Sequence, residues 1–270
     1  MAKALSLLAF VPVAAALSAA AAPLPLLQPT GKWKLEYGPS ACAAVRLYAG
    51  AKGPITLGFR PSPNGTVVRL VVLRAGKGPA GMQFPVKTNI VPDAAKTTGL
   101  HFGPKGEKRQ VVWINVPRTS LETLRRTGEL SLNGGPLKAR FALPIFGQLL
   151  DGLDACNADL RRYWNVGEHA AAIAKPAEPL KPLATYFSSG DYPAQAYQDD
   201  ASGRSQIMMM IDEAGALKDC MVEETSGIAV LDAQTCILLH ERAKFRPALD
   251  DAGKPVRSVL TQRVHWKMGE

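Results

Sequence analysis

The side chains with the most chemistry to offer in this 270-residue chain are four histidines and four cysteines, and their spacing narrows what they do. His101, His169, His240 and His265 are scattered, and none sits in a metal-ligand pattern such as H-E-x-x-H. His240 precedes Glu241 but has no histidine partner, and its neighbours Arg242 and Lys244 mark a solvated helical face. Ser226-Gly227 lacks the G-x-S-x-G frame of a nucleophile elbow. The glycine-rich stretches GAKGPITLGF and RAGKGPAGMQF read as turns between strands, without a phosphate-binding spacing and a following helix. No catalytic residue, metal or cofactor is therefore expected. Cys42 and Cys156 belong to the first part of the chain, Cys220 and Cys236 to the last. The second pair is far from a C-x-x-C spacing, which leaves redox chemistry as the weaker rival to a structural bridge.

The compartment decides the cysteine reading. MAKALSLLAFVPVAAALSAAAAPLPLL opens with one lysine and an apolar run that ends in alanines, the pattern of a signal peptide over residues 1–21. Ala19 and Ala21 form an A-x-A cleavage site, and the alternative is an uncleaved anchor, the chain's one membrane contact. Export makes disulfides the expected state of an even cysteine count. The net charge of +9 survives cleavage almost intact, because Lys3 is the only charged residue removed. An exported basic protein has no nucleic-acid partner in reach, and its surplus suits anionic envelope polymers, an acidic protein or simple solvation.

These residues need elements to position them. KWKLEY alternates apolar and polar side chains with the period of a half-buried strand, and similar runs follow at 44–48, 55–59, 66–74, 110–116, 128–133 and 137–143. Residues 30–164 thus read as a mainly antiparallel β domain, a sandwich or open barrel, with a short helix capped by Ser120. A closing helix at 145–164 carries Leu149, Leu150, Leu153, Cys156, Leu160 and Tyr163 on one face, so a Cys42–Cys156 bridge would fasten it to the sheet; two free core cysteines are the alternative. Pro176, Pro179 and Pro182 recur every third residue, which suits an extended linker over 165–184 between two domains.

Residues 185–270 read as α+β: a short helix, a hairpin turning at Glu213-Ala214-Gly215, a helix with Asp232 as N-cap, and a last strand. In that strand Leu260, Gln262, Val264 and Trp266 share one face, and Val259, Thr261, Arg263, His265 and Lys267 the other. The parity of Cys220 and the buried helix face holding Cys236 allow a Cys220–Cys236 bridge, closing a loop that stabilises by roughly 3 kcal/mol.

DYPAQA, IDEAGALKDCMVEETSG, LDAQTC, FRPALDDAGKPV and the terminal VHW resemble the C-terminal domain of the energy transducer TonB, over about residues 186–270. The resemblance implies a three-stranded antiparallel sheet in the periplasm of a Gram-negative bacterium, whose edge strand pairs with segments of outer-membrane receptors in TonB-dependent transport. On this chain the edge positions are Val259, Thr261, Arg263, His265 and Lys267. A transducing TonB has a retained anchor and a long proline-rich spacer, where this chain has a cleavable-looking signal and a β domain. The expected function is a periplasmic adaptor that captures an extended envelope-protein segment by strand addition. The alternatives are a binder of anionic envelope polymer and an enzyme housed in the first domain.

Overall fold

The computed structural model describes residues 23–91 and 97–268, so the signal segment 1–21 lies outside the described residues. The first half holds β1 (Leu26–Leu27), β2 (Lys34–Tyr37), β3 (Cys42–Gly50), β4 (Gly53–Pro61), β5 (Val67–Ala75), β6 (Met82–Pro85), β7 (Lys87–Thr88), β8 (Thr98–Phe102) and β9 (Arg109–Pro117). Helix α1 (Ser120–Thr127), β10 (Glu129–Gly134), β11 (Leu137–Ala142) and helix α2 (Phe146–Tyr163) complete it. One sheet runs β2-β3-β4-β5-β9-β8-β6 and the other β1-β11-β10-β7; every pairing is antiparallel except β1 with β11. The two sheets and α2 enclose one core, in which Tyr48 and Phe141 meet edge to face with ring centroids 5.1 Å apart. Strands β1, β6, β7 and β8 are not among the runs that periodicity marks: they are short, and TGLHF over Thr98–Phe102 carries little alternation.

Alternation explains what β5 does. Val68, Leu70 and Val72 point into the core between the sheets, while Arg69 points the other way and is nevertheless buried. A buried arginine on an outer face means that something covers that face. The cover is the C-terminal half.

That half comprises β12 (Glu178–Pro179), α3 (Ala194–Gln198), β13 (Gly203–Ile211), β14 (Leu217–Glu224), α4 (Ala229–Arg242), β15 (Phe245–Arg246), β16 (Ala248–Leu249), β17 (Pro255–Val256) and β18 (Ser258–Trp266). Its main sheet has the order β14-β13-β18, antiparallel throughout. Ile207, Met209 and Ile211 of β13 face α4, whereas Met208 and Met210 belong to the core of the first half. The β13–β14 turn is held by Asp212, whose Oδ1 accepts from Ala214 N at 3.0 Å and Ala216 N at 2.8 Å. Gly215, at φ 77, lies so close to Phe245 that a side chain would strike its carbonyl.

Three expectations need correction. Asp232 is not the N-cap of α4, which starts at Ala229 after Ile228; from inside the first turn its carboxylate accepts from Ser226 N (3.0 Å), Ser226 Oγ (2.7 Å) and Thr225 Oγ1 (2.5 Å). Likewise α1 begins at Ser120 behind Thr119, with no side-chain cap. Residues 165–184 do not form a free extended linker either. Lys175 exchanges backbone bonds with Leu249 at 3.0 and 2.8 Å, Glu178–Pro179 pairs with Phe245–Arg246, and Ala177 is buried. Proline lacks a donor but is tolerated on the outer side of an edge strand, so the same prolines that suggested a spacer fit a docked edge.

Candidate functional site: the free edge of the C-terminal sheet

Strand β18 pairs with β13 from Gly203–Trp266 to Ile211–Ser258, and no strand lies on its other side among the described residues. An unpaired edge presents backbone N–H and C=O groups that another chain can satisfy. Its inward side chains are anchored at one end by Trp266, whose Nε1 donates to Thr235 Oγ1 at 2.8 Å. The Trp266 ring also meets Phe187 and Tyr192 edge to face, with centroids 5.7 and 5.4 Å away. Along the edge runs a cleft of about 250 Å³, in which Leu183, Ala184 and Phe187 face Gln262, Val264 and Trp266.

The wall formed by Leu183, Ala184 and Phe187 comes from the stretch that sequence reasoning treated as spacer and domain start. The 3₁₀ turn Leu183–Tyr186 is pinned to α4: Arg242 donates to Tyr186 O at 3.0 Å and grips both oxygens of Asp191 at 2.6 Å. These Arg242 bonds, with that of Ser188 Oγ, hold the Asp191 carboxyl well below the usual carboxylate range. The apolar Leu183, Tyr186 and Phe187 immediately after the last proline were the available signal.

The sequence-predicted edge residues divide into three groups. Val259 is part-buried, with its side chain packed against the core of the first half. Thr261, Arg263 and His265 are exposed, with Arg263 Nε donating to Gln206 Oε1 at 3.2 Å. Lys267 is exposed too but lies one residue past the strand end. Exposed Arg204 stands opposite His265 on β13, so the outward face beside the free edge is basic.

The strand at the opposite side of the sheet, β14, is tied to the first half through side chains of one face. Asp219 of β14 pairs with Arg60 and accepts from Ser40 Oγ at 2.8 Å. Glu223 accepts from Ser62 Oγ at 3.2 Å and from Thr66 Oγ1, while its backbone carbonyl also accepts from Thr66 at 3.1 Å. Burial pushes the Glu223 carboxyl above its ordinary value despite these bonds, because an ionised carboxylate is costly to hold away from water. Burial likewise pulls Arg69 down to about 10, with Arg60 adding to the effect.

The four cysteines come together in two pairs. Cys42–Cys156 joins β3 to α2 with Cα atoms 6.1 Å apart, and Cys220–Cys236 joins β14 to α4 at 5.5 Å. Tyr163, expected on the buried face of the closing helix, is instead half exposed under the Arg257 guanidinium, 4.1 Å from its ring centre. Among the described residues no group of three or more His, Cys, Asp or Glu side chains is placed to hold a metal ion, and no helix is long and apolar enough to cross a membrane.

Three antiparallel strands packed under one helix, with β18 unpaired on its outer side among the described residues, make an α+β domain with an open sheet edge. Residues 189–268 match the family model of the Gram-negative bacterial TonB protein C-terminal. No curated protein matches the chain.

Proposed function

We propose that the protein is a non-enzymatic periplasmic adaptor that captures an extended segment of an outer-membrane receptor or other envelope protein by adding it as a strand beside β18. The observation that carries this reading is the open β18 edge with a cleft along it, walled on one side by Leu183, Ala184 and Phe187. Strand addition draws affinity from backbone bonds and specificity from alternate side chains. A segment laid on this edge would set every second side chain against Leu183 and Phe187, and the others beside Arg204, Arg263 and His265. The preferred segment therefore alternates apolar with acidic residues. The matched family supports an envelope partner, and a role in TonB-dependent transport is part of the same proposal.

Backbone capture separates from surface charge by mutation of the full mature chain. Successive amides on a strand point to opposite sides, so one of Thr261 and Gln262 directs its N–H to the open edge. In crosslinking pull-downs from envelope fractions, one of Thr261→Pro and Gln262→Pro should stay folded and lose capture. Arg263→Glu should weaken capture mainly at low salt. If both proline variants fold and recover the same partners as wild type, strand addition is wrong.

A further inference from the structure

The two halves enclose a hollow of about 480 Å³ that strand capture does not use. Its floor is Leu100 and Phe102 of β8 with Trp113 of β9, the two rings packed edge to face at 4.7 Å. One wall is α4, presenting Ala233, Gln234 and Ile237, and Ile237 at the mouth is 47% exposed. The hollow exists because small residues, Ala80, Gly81, Ala194 and Ala233, line it where larger ones would fill it. Its size falls within the roughly 300–1,000 Å³ of pockets that take small organic ligands.

The lining states the chemistry of the occupant. It contains no charged side chain, so an ion entering would lose its hydration without a counter-charge. Of its two amides, Gln195 is committed at both ends to the Gln83 backbone, accepting from N at 2.8 Å and donating to O at 3.0 Å. Gln234 has no hydrogen-bond partner among the described residues and is available. We propose that this interdomain hollow binds an uncharged, largely apolar small molecule carrying one hydrogen-bonding group, its body against Phe102 and Trp113 and its polar end on Gln234. Such a molecule has either an acyl chain or a fused aromatic ring as its body.

The test uses the intact mature chain and the neutral fluorescent probe N-phenyl-1-naphthylamine, with 1-decanol, 1-naphthol and decanoate as competitors at pH 7.5. Saturable binding of one probe per chain is expected, with displacement by decanol identifying an acyl body and by naphthol an aromatic one. Decanoate, of equal length but charged, should compete at least tenfold less well than decanol. Ala233→Phe should lower probe affinity at least tenfold with an unchanged circular dichroism spectrum. Should that variant not fold, Ile237→Asp at the exposed mouth makes the same test. Absence of saturable binding to wild type, unchanged affinity in the folded variants, or decanoate competing as well as decanol would overturn the assignment.

Discussion

Excising the C-terminal half as residues 165–270 should leave a fragment far less stable than the same residues in the intact chain. Met208 and Met210 are fully buried and belong to the core of the first half, together with part-buried Val259. Each fully buried methionine contributes about 1.5–3 kcal/mol, so exposing the two removes about 3–6 kcal/mol. Whole domains are stable by about 5–15 kcal/mol, so this loss is a large share of the margin. Trp266 is the only tryptophan of the fragment and reports its unfolding in urea by fluorescence. The intact chain should unfold in one transition, and the fragment at a much lower urea midpoint. A fragment as stable as the intact chain, or two separate transitions in the latter, would refute the shared core and restore independent domains.

Two further outcomes follow from the bridge and the buried carboxyl. Replacing Cys236 by serine opens a bridge of sequence separation 16 and should cost about 3 kcal/mol in denaturant unfolding under oxidising conditions, with no difference from wild type once both are reduced. Glu223 has a folded pKa raised by burial, so its carboxyl favours the folded state only while protonated. That contribution is complete below the unfolded carboxyl pKa and is lost as pH rises through the raised value. Glu223→Gln should accordingly gain stability relative to wild type from about pH 4.5 towards 7.5, measured by urea unfolding across that range. A difference that stays flat or falls with pH would contradict the assignment.

The sequence by itself determined the elements with clear periodicity, the division of the four cysteines into two pairs, and the resemblance to the TonB C-terminal domain with its last strand. Period-two alternation told the two faces of β18 apart, because side chains of a strand must point in opposite directions. It could not tell which covering each face receives. Val259 and Arg263 share a face, yet the first half reaches only as far as Val259 and leaves Arg263 in solvent. The run Ile207-Met208-Met209-Met210-Ile211 held a legible hint, since an unbroken apolar run marks a strand buried on both faces. Proline spacing in 165–184 stated only which backbone donors are missing; whether that segment spans solvent or docks depended on Phe245–Arg246 and Leu249 offering it an edge. Tertiary structure alone decided that the Asp219 and Glu223 face of β14 docks on the first half, because Arg60, Ser62 and Thr66 meet it across more than 150 residues of chain, and contacts at that separation leave no local pattern.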